Sequence, residues 1–106
     1  MEFLNKVELK GVVGSVNHQQ FGLHPATRFQ VVVNTTHNEK NGDILVETLW
    51  LNCIANSQTT PACRLLEKGD KVHVCGRLKA NTYTDHNNEP RLLYEVVVGQ
   101  FEILSE

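Results

Sequence analysis

His73 and Cys75 stand two residues apart in the stretch "KVHVCGRLKANTY". On a strand that spacing puts both side chains on one face, where an imidazole could activate a thiol for nucleophilic attack. Such chemistry also needs a group that orients the base, and the surrounding sequence offers neither a carboxylate nor a helix N-terminus. The pair is therefore read as two exposed or interface side chains, and no catalytic residue is assigned. The five histidines, His18, His24, His37, His73 and His86, lack the H-x-x-x-H and H-E-x-x-H spacings of metal sites, so no metal is expected. Cys53, Cys63 and Cys75 are odd in number and lack C-x-x-C spacing, which suits reduced thiols, most simply small buried hydrophobes. Gly11 and Gly14 in "GVVG" precede no helical pattern and make no dinucleotide loop. Neither an enzyme nor a cofactor is expected.

An aromatic raises a different kind of chemistry. In the same stretch Val72, Val74 and Leu78 share one parity, while His73, Cys75, Arg77, Lys79, Asn81 and Tyr83 share the other. Unless a bulge intervenes, Tyr83 lies beside Lys79 and Arg77, away from the core valines and next to the polar loop "TDHNNEP". It serves there either as a shield over a barrel edge or as a stacking surface. Trp50, inside an apolar strand, reads by itself as a core or subunit-interface residue. From Lys68 to Arg91 the bases Lys68, Lys71, Arg77, Lys79 and Arg91 outnumber the acids Asp70, Asp85 and Glu89.

The elements that must position these residues are almost all strands. "VELKGVVGSV" changes the parity of its apolar residues near Gly11 and Gly14, where a strand bends or bulges. "HPATRFQVVVNT" is a second strand, and the Asn41-Gly42 pair predicts a hairpin into the third, "ILVETLWLNCI". That third strand is apolar on both parities, so both faces are covered, one by the core and one by a partner subunit or a ligand. Between Asn56 and Lys68 the pattern predicts one short helix, capped by Thr59 or Thr60, with Pro61 at its first position. Ala62, Leu65 and Leu66 form its apolar face, and Gly69 stops it. "KVHVCGRLKANTY" and "RLLYEVVVGQFEIL" are the fourth and fifth strands. Three strands, a helix and two strands is the order of an all-β OB-fold, a five-stranded Greek-key barrel whose open face and loops accept oligonucleotides.

Composition sets the outer bounds. The 106 residues suit one domain spanning 1–106, with 41% hydrophobic and 21% charged residues and no apolar stretch long enough to span a bilayer. The N-terminus does not read as a signal peptide, which places the protein in the cytoplasm. A formal net charge of -2 means that no basic field announces a nucleic-acid partner.

The chain resembles bacterial single-stranded DNA-binding proteins over nearly its whole length. The resemblance is carried by "LNKVELKGVVG", "ATRFQVVVNT", "ETLWLNCIA", "LLEKGDKVHVCGRLK" and "YTDHNNEPRLLYEVVV", in that order and spacing. It implies that Trp50 and Tyr83 stack on bases and that Lys68 and Lys79 meet phosphates. Asn52 and Asn81 stand where family members often carry bases, and Asn56 stands where well-known members have a phenylalanine. Arg77, on the face of Tyr83, and Lys40, in the loop between the second and third strands, complete the candidate set. The implied activity is sequence-independent binding and protection of single-stranded DNA in replication, recombination or repair. Stacking suits it because every base offers a π-face.

Two other readings fit the same pattern: a primosomal replication protein N-like accessory factor, and an OB-fold protein-interaction module with little nucleic-acid affinity. The family also implies a homo-oligomer, a dimer or a tetramer made of two dimers. Leu45, Leu49 and Leu51 would suit that interface, though a thick core explains them equally. Family members usually extend into a glycine-rich linker with an acidic tip, and this sequence ends at "FEILSE".

Overall fold

The computed structural model describes residues 1–19, 22 and 24–104. Five strands, β1 (Val7–Gln19), β2 (Ala26–Asn38), β3 (Ile44–Asn56), β4 (Lys71–Thr84) and β5 (Pro90–Leu104), close into a barrel in the order β1-β2-β3-β5-β4. All neighbours are antiparallel except β3 and β5, which close the barrel through the parallel pairs Cys53–Val96 and Ile54–Val97. This is the five-stranded barrel that the strand order predicted.

β1 does the work of two strands. From Val7 to Val12 it pairs with β4, and from Val12 to Gln19 with β2. The register slips between Val13 and Ser15, so the bulge falls on Gly14. That slip moves the inward residues from Leu9 and Val13 to Val16, the parity change visible in the sequence. The core is a cluster of Val13, Phe29, Val31, Cys53, Ala55, Cys63, Leu66, Val72, Val74, Val96 and Val98, with Val7, Leu9, Val16, Val33 and Phe101 packed around it. β-branched side chains dominate because they fit a pleated, half-buried surface.

Both long hairpins outrun the barrel. Beyond Val33 and Leu49, β2 and β3 pair only with each other, and beyond Leu78 and Val96 so do β4 and β5. The β2–β3 connection is longer than a two-residue turn. Asn38 pairs with Ile44, the Glu39 N–H bonds to the Asp43 carbonyl, and Gly42 adopts φ +90. Exposed Ile44, Leu45, Val46 and Leu49 line that projecting ribbon.

The short helix has a different pitch from the one the sequence suggested. Pro61–Leu65 is a 3₁₀ helix, with Thr60 at its N-cap making no side-chain capping bond. At three residues per turn, positions three apart eclipse. Cys63 and Leu66 therefore point inward, whereas Ala62 is exposed and Leu65 is exposed by 73%. The segment is tied back to β1, where the His18 imidazole contacts the Leu66 carbonyl at 3.0 Å and Thr27 Oγ1 at 3.1 Å. Gly69, at φ +95, donates its N–H to the Val13 carbonyl, and Val13 donates to that of Asp70. Lys68 is thereby fixed beside the β1 bulge.

Candidate nucleic-acid interface

Alternation sorts the strands into a core face and an outer face. Phe29, Val31, Cys53 and Ala55 point inward, so Arg28, Gln30, Asn52 and Ile54 point outward. On β4 the outward set is Arg77, Lys79, Asn81 and Tyr83, opposite Val97, Glu95, Leu93 and Arg91 of β5. A register slip does occur between Cys75 and Gly76. Its extra residue, Gly99, lies in β5, so β4 keeps its alternation and Tyr83 stays on the face of Lys79.

Three hollows run together across this surface. One, of about 420 Å³, lies among Ser15, Asn17, Arg28, Gln30, Asn52, Leu93 and Glu95. A second, of about 890 Å³, shares Arg28 and Glu95 with the first and continues past Ile54, Asn56, Arg77, Lys79 and Asn81. A third shares Ser15 and Val16 with the first and extends to Gly14, Arg64 and Lys68. Each hollow thus shares lining residues with the next, and together they make up a track from the 3₁₀ segment to the β4–β5 hairpin.

Its electrostatics differ from the chain's average. Arg28, Arg64, Lys68, Arg77 and Lys79 line the track against Glu67 and Glu95, an excess of three positive charges on a chain whose formal net charge is -2. Among the described residues Arg64, Lys68, Arg77 and Lys79 form no ion pair. Glu95 is nearly buried but satisfied, with Arg28 Nε at 3.6 Å and Asn81 donating to it at 3.2 Å. Gln30 donates to Asn52 at 3.1 Å, which fixes the amide floor of the first hollow. Cys53 also borders that hollow, but burial and, secondarily, the Glu95 charge push its thiol up to about 12, so it is no nucleophile.

Aromatic surface flanks the track. Trp50 is 56% exposed on the outer parity of β3, opposite Val32 and two residues from Asn52, so it is not a core residue. Its ring lies over Gly14, where an added Cβ would stand 2.7 Å from Cζ3. The bulge glycine is thus the seat of the indole. Tyr83, half exposed, ends β4 opposite Arg91. Arg91 is already committed to Asp85 at 2.9 Å and Glu89 at 3.4 Å. Asp85 also accepts from the Glu89 and Asn87 N–H groups, and the bonds from Glu89 and Arg91 hold its carboxyl below the usual range.

Of the residues singled out from sequence, Asn52, Arg77, Lys79 and Asn81 meet in the first two hollows, and Lys68 joins through the third. Trp50 and Tyr83 stand on the same outer parities of their strands as the lining residues. Lys40 sits at the exposed tip of the β2–β3 hairpin, outside all three hollows. Sequence reading missed Arg28, Gln30, Arg64 and Glu95. Arg28 and Gln30 alternate with Phe29 and Val31, a signal that was present but hidden behind the "VVV" run.

A family model described as "Single-strand binding protein family" matches residues 4–104. The chain belongs to that family. The mitochondrial single-stranded DNA-binding protein of Bos taurus is 29% identical, over 97% of this chain and 76% of its own length. The single-stranded DNA-binding protein of Bacteroides thetaiotaomicron is 29% identical, over 96% of this chain and 66% of its own. Among solved structures, that of the Plasmodium falciparum SSB complex with ssDNA superposes with a TM-score of 0.83 at 21% identity, covering 99% of this chain and 98% of that one. The small single-stranded DNA-binding protein from Streptomyces coelicolor superposes at 0.66, also at 21% identity, covering 94% and 95%. At such identities these structures establish the barrel, while the family membership rests on the sequence match. No described helix is long and apolar enough to cross a membrane.

Proposed function

We propose that this chain holds single-stranded DNA, without regard to base sequence, along the track of three hollows. The observation that carries this is the concentration of four bases, unpaired among the described residues, on the same surface as an exposed tryptophan, on a chain that is otherwise acidic. Trp50 and Tyr83 act as stacking platforms, each worth ~1–3 kcal/mol per base, and Lys68, Lys79, Arg64 and Arg77 neutralise phosphates. The amides of Gln30, Asn52 and Asn81 line the path between them. The activity is binding, not catalysis, and it protects single strands during cytoplasmic replication, recombination or repair. A second copy of this chain completes the particle, because Ile44, Leu45, Val46 and Leu49 leave an apolar ribbon that a lone chain does not cover.

The test is a titration with oligo-dT followed through the tryptophan, which is unique in the sequence. Binding should quench its fluorescence, and Trp50→Ala, folded by circular dichroism, should bind ~1–3 kcal/mol more weakly. A parent protein that ignores oligo-dT at low salt would sink the proposal in favour of a protein-interaction module. Equal affinity of parent and variant would remove the stacking role of Trp50 alone.

A further inference from the structure

A second cluster lies on β1 and β4 on the other side of Gly76, away from the track. Register pairs Glu8 with Cys75 and Lys10 with His73, so Glu8, His73 and Cys75 share one outer face although Glu8 is 65 residues from His73 in the chain. The carboxylate absent from the neighbouring sequence is supplied across the ladder. His73 Nε2 lies 2.8 Å from Glu8 Oε2, Cys75 Sγ lies 3.6 Å from the same oxygen, and Sγ to Nε2 is 3.9 Å. These are one nitrogen, one oxygen and one sulfur donor, all within 4.8 Å of one another.

From this geometry we infer that Glu8, His73 and Cys75 form a binding site for a borderline-soft divalent cation, Zn²⁺ above all. A tetrahedral Zn²⁺ with Zn–N and Zn–O near 2.0–2.1 Å and Zn–S near 2.3 Å spaces its ligand atoms about 3.3–3.6 Å apart, so the three donors need shifts of only about half an ångström. Hard cations prefer all-oxygen shells and fit this set poorly. Two ligands at i and i+2 of a rigid strand, with the third from its hydrogen-bonded neighbour, are held in place by the barrel. A hollow lined by His73, Cys75, Gln100 and Glu102 adjoins two of the three donors and leaves them accessible to water.

Charges of both signs surround Glu8 and Cys75. Lys6 acts on both groups, Lys10 faces His73 and Glu102 pairs with His73 on the other side. A carboxylate and a thiolate at this separation coexist only with a positive charge between them. Binding releases the thiol proton to solvent as the S–metal bond forms. In the neutral imidazole the remaining proton resides on Nδ1, freeing the Nε2 lone pair for the metal. Affinity therefore rises with pH.

The experiment is titration of the chelator-treated full chain with Co²⁺ alone, then displacement by Zn²⁺. We expect one equivalent per chain, with a thiolate-to-cobalt charge-transfer band and the intense visible bands of tetrahedral cobalt. Zn²⁺ should displace Co²⁺ and raise the melting temperature by stapling β1 to β4. Cys75→Ser should abolish the charge-transfer band. Glu8→Gln and His73→Gln should each weaken binding at least as much as loss of an outer-shell partner does, ~10–100-fold. All three variants should retain the parent's circular dichroism and its affinity for oligo-dT, which keeps this result separable from the proposed function. A band that survives Cys75→Ser would trace to Cys53 or Cys63 and overturn the site, as would the absence of saturable Co²⁺ binding by the parent. Should Cys75→Ser misfold, unchanged Co²⁺ affinity in folded His73→Gln would overturn it equally.

Discussion

β4 carries two outer surfaces on one parity, and they differ at Gly76. Before it, His73 and Cys75 face Glu8 across a three-stranded sheet, with every donor held by a neighbour. After it β4 has lost its β1 neighbour and is an edge strand, and Arg77, Lys79, Asn81 and Tyr83 lie beside β5 alone, the two bases among them having no ion-pair partner among the described residues. The same alternation thus yields a compact soft-donor cluster on one side and an extended cationic track on the other. What changes is the number of strands bonded to β4: the second neighbour, β1, brings a charge partner, and its absence leaves side chains free for a ligand. Position in the sheet, more than residue type, decides which side chains remain uncommitted.

The largest break in that comparison comes at its pivot. A Cβ on Gly76 would run into the Val97 carbonyl oxygen, with Val98 Cα only 3.1 Å away. These are backbone atoms of the paired strand and cannot swing aside as a side chain would. Gly76→Ala should therefore destabilise the fold by ~1–3 kcal/mol. Each kcal/mol lost lowers the melting temperature by roughly 4–8 °C in a domain of this size. Oligo-dT affinity and Co²⁺ binding should fall together. A variant that melts with the parent would show that the two surfaces do not depend on a common hinge.

A sharper test acts on the ribbon alone. Tyr83→Ala removes a half-exposed ring at the strand end, so affinity for oligo-dT should drop by ~1–3 kcal/mol while stability stays within about 0.5 kcal/mol. Cobalt binding at Glu8, His73 and Cys75 should not change. If calorimetry instead shows a large loss of stability, or sedimentation shows a broken oligomer, the ring is packing material.

Much of this was legible in the sequence, for physical reasons. Period-two alternation fixes strand faces, so Tyr83, Lys79 and Arg77 could be put on one outer surface, and five strands with a helix after the third already specify the barrel. The change of inward parity near Gly11 and Gly14 signals a bend or bulge, and the register puts it at the second of these glycines. The helix pitch is not legible because a five-residue segment offers too few positions to tell 3.0 from 3.6, and so the pattern turns Leu65 inward where Cys63 belongs. Lys40 lies in the loop between the second and third strands, and nothing local says that the hairpin tip lies outside the hollows. Glu8 was invisible as a partner of His73 because register between distant strands is settled by the whole core and not by any local signal.

The smallest effects concern charge on the track and should move in opposite directions. For single strands each neutralised phosphate contributes about 0.7 to the slope of log K against log salt, so the four unpaired bases bound the slope at roughly 3. Lys79→Gln keeps length and polarity but removes one contact, and the slope should flatten by about 0.7. Glu95→Gln keeps the Asn81 hydrogen bond, since a side-chain oxygen remains, but deletes the acid that, among the described residues, holds Arg28. Arg28 then becomes a fifth free base, so the slope should steepen by about 0.7 and low-salt affinity should rise. Both variants should keep the parent's circular dichroism, and neither should alter Trp50 quenching at saturation. Slopes that shift in the same direction would mean that Arg28 and Glu95 act only as structural packing and that DNA does not cross the wall between the first two hollows.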